Sequence, residues 1–418
     1  MMNMTDYSLS NKQQHESGMI FTLFSIWSFI LLCRPQDYLP FLGYLRPSLT
    51  LGLLTLLLYV LNAKYTVKFA DSQLRLYKYL IIVMIVSVPF SYYRSASLMD
   101  LIHYSSIAIF VFLLPSLLNS ISKLRALLFL YCLGIAIYAL CTLAYGSFTE
   151  GRISFGSMFD PNDIAFFIIS FVTFNLLFVT NNNRGYVRII SIINLIIGLL
   201  IIMKSGSRGG LLALITVIAY LLFIKSSTFK VSFITKAALT AVVLLSLQFV
   251  NMNSERYKTI FDLQNDYNIT GEEGRLSVWK TGIKLMFAHP FTGVGFNRFP
   301  EGVGRDREKR GLDSSKWQTA HNSLIQIGAE TGIFGFILFC ALSFNAFKIF
   351  SQIGKNTEIG ELAKIGEFAK VGFLGHFISA MFLSQAYSVY WAFYIGFSAV
   401  LKRFVETNKI SEPGELER

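Results

Sequence analysis

The sequence predicts an all-α, polytopic membrane protein with about 12 transmembrane helices and one long loop outside the membrane. Hydrophobic residues make up 53% of the 418-residue chain and charged residues only 15%, whereas soluble domains carry about 25% charged residues. The apolar residues are grouped in blocks close to the ~20 residues that a helix needs to cross a bilayer. Alternating segments of about ten residues, which would indicate a membrane β-barrel, are not seen.

The apolar blocks define the predicted spans and divide the chain. The spans are predicted at residues 19–33, 47–62, 77–90, 101–119, 124–146, 161–180, 187–203, 210–225, 234–250, 320–350, 365–384 and 387–403. Residues 1–18 and 404–418 are then tails. Spans one to nine lie within 19–250, the long loop occupies 251–319, and the last three spans lie within 320–403.

The distribution of basic residues predicts the orientation. If the N-terminus is cytoplasmic, most Lys and Arg residues fall on the inner side, as membrane proteins favour. The short outer loops then hold only Arg34, Arg46, Arg94, Arg152, Lys204 and Arg208. We therefore expect both termini in the cytoplasm and loop 251–319 on the extracytoplasmic side. The net charge of +12 then reflects orientation rather than nucleic-acid binding, and the four cysteines lack metal-ligand spacing.

Two arginines on the outer side are candidates for anion binding. The stretch SGSRGG, Ser205–Gly210, leaves almost no room for a loop, so Arg208 must lie at the membrane surface or in a cleft. Its glycines permit close backbone approach, and the next helix offers N–H groups to an anion; a snorkelling anchor is the alternative. Arg152 precedes Asp160-Pro161, which is a typical helix start.

The long loop contains one predicted helix. In RLSVWKTGIKLMFAHP, Leu276, Trp279, Ile283 and Met286 recur at helical spacing. This pattern predicts an amphipathic helix on the membrane surface with Trp279 at the headgroups and Arg275 facing a lipid phosphate. The stretch GVGFNRF that follows is expected to be a turn-rich return, and GRDREKRG a solvated tip.

The stretch AHNSLIQIGAETGIFGF combines a span with polar residues and glycines. On one continuous helix His321, Gly328, Gly332 and Gly335 would share a face, and small residues on that face would allow close helix packing. Glu330 lies off this face inside the span and needs a partner. His321 is a candidate functional residue at the outer surface; an interfacial residue making local hydrogen bonds is the alternative.

Three motifs resemble the O-antigen ligase family. HNSLIQIGAETGIFG fits the pattern H-[NSQ]-x9-G-x-x-G, RGGLL fits R-x3-L, and HPFTGVGFNRF is similar to the family's HP-x-x-G-x-G loop. The resemblance covers about residues 150 to 335. The same domain occurs in O-antigen polymerases and in ligases that glycosylate proteins, and the motifs do not separate these branches.

The resemblance implies a GT-C-like membrane glycosyltransferase that needs no metal or other cofactor. Its donor would be a glycan on undecaprenyl pyrophosphate, and its acceptor a hydroxyl of lipid A–core, of another glycan or of a protein, at the periplasmic face of a bacterial inner membrane. By similarity, Arg152, Arg208 and Arg275 correspond to arginines near the pyrophosphate and His321 to the base. Asn322 and Glu330 would support the site.

Two alternatives stay open from the sequence. Within the family, the protein could be an O-antigen or exopolysaccharide polymerase or a protein O-oligosaccharyltransferase. A transporter or flippase is the alternative from another class. Transporters tend to show paired repeats and broken helices at matching positions, and the sequence indicates neither.

Overall fold

The computed structural model describes residues 4–62, 71–149, 151–156, 160–180, 185–223, 274–312 and 317–411. The helices are α1 Met4–Cys33, α2 Pro47–Leu61, α3 Ser72–Ser87, α4 Arg94–Leu117, α5 Ile121–Tyr145, α6 Pro161–Thr180, α7 Gly185–Lys204, α8 Arg208–Phe223, α9 Arg275–Ala288, α10 Phe299–Lys309, α11 Ser323–Lys355, α12 Glu361–Ala380 and α13 Val389–Ser411. Single turns occur at Phe41–Tyr44, Pro35–Asp37, Val88–Phe90 and Thr357–Ile359. Strands β1 Ser147–Thr149 and β2 Arg152–Ser154 pair antiparallel.

The predicted spans agree with these helices. Each predicted span that falls on described residues coincides with an α-helix, whereas the span at 234–250 lies outside them, as does part of the long loop. Within the described ranges, six helices are long and apolar enough to cross a membrane, namely α4, α5, α6, α7, α11 and α3 with its following turn. Shorter apolar helices lie at Gly18–Cys33, Pro47–Leu61 and Arg208–Phe223. The chain is therefore an all-α, multi-pass membrane protein.

Apolar side chains on the outside of the helices fit a lipid environment. On α7, Ile189 is 59% exposed and Ile196 54% exposed, and on α2 Leu57 is 54% exposed. Exposed apolar faces of this kind are unfavourable in water. They indicate that α2 and α7 lie at the lipid-facing surface of the bundle.

The centre of the bundle is formed by α6 and α12. Residues Ile164 to Phe178 of α6 are buried throughout, because α5, α7, α8 and α12 pack around this helix. Two glycines of α12 permit the close packing: a Cβ at Gly372 would lie 2.4 Å from Oγ1 of Thr173, and one at Gly375 would lie 2.6 Å from Val217. Small residues at such contacts let membrane helices approach closely.

Helix α11 is interrupted at Gly332, where the backbone adopts φ 72° and ψ −169°. The loop after α9 completes the missing hydrogen bonds. The N–H groups of Val294 and Gly295 donate to the carbonyls of Ala329 (2.9 Å) and Glu330 (3.1 Å), and Ile333 N–H donates to Pro290 O (2.8 Å). Unpaired backbone groups are costly within a membrane. The break in α11 therefore depends on this loop for its hydrogen bonds.

This interruption corrects the predicted glycine face. His321 and Asn322 lie before the helix, Gly332 breaks it, and a Cβ at Gly332 would lie 2.4 Å from Pro290 O. Gly328 instead faces Met286 of α9, since a Cβ added at Gly328 would lie 2.6 Å from the Met286 sulfur. The sequence did not indicate this single break, and no matching break is seen in the other helices of the described ranges.

Helix α9 is present as predicted, but it buries a different face. Its buried residues are Val278, Thr281, Gly282 and Leu285, because it packs on α10 and α11. Leu276 of the predicted stripe is 42% exposed. Trp279 donates its indole N–H to Ala320 O at 3.0 Å.

The mixed-charge run after α9 is also folded rather than a solvated tip. It forms the last part of α10, in which Asp306 and Arg307 are both buried. The ammonium group of Lys284 on α9 lies 2.7 Å from Oδ1 of Asp306. This ion pair joins α9 to α10, which explains why the charged run is held against the protein.

Candidate active site

The turn between α7 and α8 is as tight as the sequence predicts. Only Ser205–Ser207 separate the two helices, and Gly206 adopts a left-handed φ of 60°. The hydroxyl of Ser207 accepts the N–H of Gly210 at 3.2 Å, which caps α8. Arg208 is therefore the first residue of α8.

Arg152 links this turn to the start of α6. Its Nε donates to Ser205 O at 2.8 Å and its Nη2 donates to Oδ1 of Asn162 at 2.8 Å. Asp160 accepts the N–H groups of Asn162 (2.7 Å) and Asp163 (2.9 Å), so the predicted helix start at Asp160-Pro161 is confirmed. The guanidinium group thus ties β2, α6 and the α7–α8 turn together.

A cavity brings two of the predicted arginines together, although they come from different helices. It is lined by Asn162, Gly206, Ser207, Arg208, Gly209, Arg275, Ser379, Phe382 and Leu383. The cavity combines the N-terminus of α8 with two guanidinium groups, which is a favourable arrangement for a phosphate-bearing ligand. Its volume is only about 20 Å³, room for roughly one water molecule. A pyrophosphate would therefore require the lining side chains to move apart.

His321 lies beside this cavity, immediately before α11. Its backbone has φ 46°, and its N–H donates to Oγ of Ser384 at 2.9 Å. The hydroxyl of Ser323 donates to Leu383 O at 2.9 Å and accepts the N–H of Gln385 at 3.0 Å. The loop that lines the cavity is thereby fixed to the start of α11, next to the imidazole.

The surroundings favour a neutral imidazole. Burial lowers the pKa of His321 below its ordinary value of 6.5, and the positive charge of Arg275 lowers the pKa further. The carboxylate of Asp160 offsets part of this effect. Arg275, Asp160 and His321 are therefore close enough to interact electrostatically.

Asn322 and Glu330, the two predicted supporting residues, have structural contacts. The side chain of Asn322 caps α11 by accepting the N–H groups of Leu324 (3.0 Å) and Ile325 (3.1 Å). Glu330 is fully buried in α11, and its Oε1 accepts the N–H of Phe299 at 2.8 Å. The partner that Glu330 requires is thus the start of α10, and Glu330 does not line the arginine cavity.

Sequence reasoning missed two features of this site. Asn162 lines the cavity and binds Arg152, but its only sequence signal was a place in the first turn of α6. Asp160 was interpreted as a helix cap alone, whereas its charge also acts on His321. Among the residues that the structure describes, no cluster of three or more His, Cys, Asp or Glu side chains could hold a metal ion.

The fold and the site together define a multi-pass membrane protein with a cationic pocket and a histidine at one end of its helices. The sequence model described as O-antigen ligase matches residues 193–340, from within α7 to the middle of α11. This match supports the resemblance to the O-antigen ligase family that the three motifs indicate. Arg208, Arg275 and His321 fall inside the matched region and Arg152 outside it. No curated protein matches the chain.

Proposed function

We propose that this protein transfers a glycan from undecaprenyl pyrophosphate to an acceptor hydroxyl, with lipid A–core as the acceptor. The reaction takes place at the periplasmic face of the bacterial inner membrane, without a metal ion and with inversion at the anomeric carbon. One observation carries the proposal: Arg208 and Arg275 line the same cavity, and His321 lies beside it, where burial and then the charge of Arg275 lower the pKa of its imidazole.

The arginines would stabilise the leaving group. As the bond between the anomeric carbon and the phosphate oxygen breaks, negative charge grows on the pyrophosphate. Guanidinium groups are permanently charged and form forked hydrogen bonds with phosphate oxygens, so they can stabilise this charge without proton transfer. Arg208 and Arg275 would contact the pyrophosphate directly. Arg152 lies behind the cavity, where it positions Asn162 and the α7–α8 turn and adds positive charge.

His321 would act as the general base. Its neutral imidazole accepts the proton of the acceptor hydroxyl while the hydroxyl oxygen attacks the anomeric carbon from the side opposite the pyrophosphate. A new glycosidic bond forms between the hydroxyl oxygen and the anomeric carbon. The bond between the anomeric carbon and the phosphate oxygen breaks, and the released undecaprenyl pyrophosphate carries the electron pair. Backside attack inverts the anomeric configuration.

The ends of the helices support the proposed orientation. The cavity lies where α6 and α8 begin and where α12 ends. The opposite ends of the spans carry a group of basic residues that includes Lys123, Arg125, Lys355, Lys364 and Lys402. Because basic residues favour the cytoplasmic side, the cavity would face the periplasm.

Reconstitution tests this function. The purified protein is placed in lipid nanodiscs. The donor is lipid-linked glycan extracted from the source cell, the acceptor is lipid A–core that lacks the glycan, and EDTA is present throughout. We expect transfer by the wild type, a loss of roughly 100-fold or more for His321→Ala, and a similar loss for Arg208→Ala. Arg208→Lys should also be impaired, because lysine cannot form the planar fork.

Arg188→Ala is the matched control, because this exposed arginine lies at the opposite end of α7. It should transfer glycan as the wild type does. Near-normal transfer by His321→Ala would remove the base assignment, and absence of transfer to every acceptor would remove the proposed function.

The alternative within the family is a polymerase or a protein O-oligosaccharyltransferase, because the matched domain supports ligase and polymerase types alike. The same assay distinguishes them. Extension of a second lipid-linked glycan would identify a polymerase, and labelling of a pilin-like protein would identify a protein ligase.

A further inference from the structure

A second and larger hollow lies outside the arginine cavity, between α10 and the residues before α4 and α11. It has a volume of about 490 Å³, within the range of small-molecule sites. We call it the aromatic cleft. The residues that matter for its chemistry are Tyr93, Gly304, Arg305, Glu308, Lys309 and Trp317.

Two exposed rings form the wall of the aromatic cleft. Tyr93 and Trp317 have ring centroids 6.2 Å apart and planes inclined by 41°, and they are 45% and 53% exposed. Gly304 makes room for the indole, since a Cβ there would lie 3.0 Å from Nε1 of Trp317. Both residues are therefore partly exposed where they line the cleft.

Arg305 of α10 packs against the chain that carries the Tyr93 wall of the cleft. The guanidinium group of Arg305 lies 4.2 Å from the ring centroid of Tyr92 and 5.7 Å from that of Tyr93. Its Nη2 also donates to Tyr92 O at 3.3 Å. These contacts hold the chain at Tyr92 and Tyr93 against α10, which limits the backbone freedom lost when a ligand binds.

The polar rim carries both hydrogen-bond donors and acceptors. Glu308 supplies carboxylate oxygens, whereas Lys309 and Arg305 supply N–H groups. A sugar ring needs this mixture, because its hydroxyls both donate and accept. The C–H groups of a sugar ring carry partial positive charge and stack on the negative face of an aromatic ring. We propose that the aromatic cleft binds sugar units of the donor glycan.

The position of the cleft fits the transfer reaction. Trp317 precedes His321 by four residues, and four residues span at most ~14 Å even when fully extended. A glycan whose first sugar lies beside His321 would therefore extend its next sugars across Tyr93 and Trp317. This placement rests on the proposed function, whereas the saccharide-binding property of the cleft does not.

Binding is tested without catalysis. The probe is the glycan released by mild acid from the source cell's lipid-linked oligosaccharide. Trp27 and Trp391 are buried and Trp279 is partly buried, so acrylamide quenching in nanodiscs reports mainly Trp317. We expect the glycan to protect the wild-type fluorescence. In saturation-transfer NMR, Trp317→Ala and Tyr93→Ala should each weaken binding roughly 3- to 10-fold, and Trp317→Phe should retain most of it.

Tyr186→Ala is the control, because this tyrosine is similarly exposed (55%) but lies at the start of α7. It should bind the glycan as the wild type does. Equal binding by Trp317→Ala and wild type would overturn the proposal. Protection of Trp317 by anionic lipid vesicles but not by glycan would also overturn it, because the cleft would then contact headgroups.

The transfer assay separates this proposal from the proposed function. If both hold, Trp317→Ala lowers transfer of a long glycan more than transfer of a donor that carries a single sugar. Glycan binding that depends on Trp317, without transfer to any acceptor, would contradict the proposed function but support saccharide binding by the cleft. If Trp317→Ala binds the glycan as the wild type does, and its transfer depends on glycan length in the same way, the saccharide-binding role of the cleft is contradicted and the proposed function is not.

Discussion

At the scale of single residues, the positive charges near His321 serve two purposes in the proposed reaction. Arg275 lines the cavity for the pyrophosphate, and its charge also lowers the pKa of His321. A protonated histidine could not accept a proton, so in the proposed reaction burial and then the charge of Arg275 would favour the neutral imidazole that acts as base. The left-handed backbone of His321 and its hydrogen bond to Ser384 fix the imidazole in position.

The charge of Asp160 makes this coupling measurable. Asp160 raises the pKa of His321, so Asp160→Asn should lower it further. The rate of transfer falls as the base becomes protonated, and the acid limb of the pH–rate profile should therefore lie below pH 6.5 in the wild type and move to still lower pH in the variant.

Asparagine retains an oxygen that can cap α6, so the thermal stability of the variant should change little. Asp160→Ser provides a second neutral cap and should shift the limb in the same direction. An acid limb that stays in place in both variants would separate Asp160 from the titrating group.

At the scale of elements, α11 shows how a span can contain a break and remain hydrogen-bonded. The loop from His289 to Gly295 approaches so closely that a Cβ at Gly293 would lie 2.2 Å from the carbonyl carbon of Glu330. Glycine is required at Gly293 and Gly332 because both positions combine a positive φ with backbone contact. The motif HPFTGVG is therefore a packing motif for α11.

Gly332→Ala should destabilise the protein by about 2 kcal/mol or more, since strained backbone and a clash with Pro290 add together. We expect a lower midpoint of thermal unfolding in detergent and reduced glycan transfer. Gly18→Ala is the control, because Gly18 lies in α1 with nothing within 4 Å of the added Cβ. Alanine favours a helix there, and a drop in stability equal to that of Gly332→Ala would contradict the role of the break.

The sequence predicted the helices better than the way they pack. Helices such as α6 and α7 can be predicted from the length of their apolar runs alone, because a helix needs ~20 apolar residues to cross a bilayer. The periodicity from His321 to Gly335 assumed one continuous helix, and nothing local shows that Pro290 supplies the acceptor for Ile333. Similarly, α9 packs on two helices at once, so its buried face could not be read from one apolar stripe.

The candidate site was predicted by residue type but not by arrangement. Arg208 stood out in a connection too short for a loop and His321 at the polar start of a span, and the family motifs contain both residues. Asn162 joins Arg152 to the cavity only through tertiary packing. Glu330 looked like a site residue because a buried carboxylate in a span is costly, whereas the structure uses it to hold Phe299.

At the scale of the whole molecule, the cavity and the aromatic cleft should face the same side of the membrane. The partly buried cysteines are first removed by Cys141→Ser and Cys340→Ser. In this background, Leu312→Cys places a thiol near the cleft, and in a separate variant Lys355→Cys places one at the far end of α11. A membrane-impermeant maleimide added to cells with a permeable outer membrane should label Leu312→Cys alone. Buried Cys33 and Cys132 should not react. Labelling of Lys355→Cys from outside would reverse the proposed orientation.

The shared hydrogen bonds of α11 and the loop before it also bear on biosynthesis. The ribosome makes residues 289–295 before α11, so the donors for Ala329 and Glu330 already exist when the span enters the bilayer. Without them two carbonyls would meet hydrocarbon unpaired, at a cost of several kcal/mol each. We therefore expect insertion of α11 to be coupled to docking of the loop, and a chain cleaved between residue 295 and α11 to fold poorly.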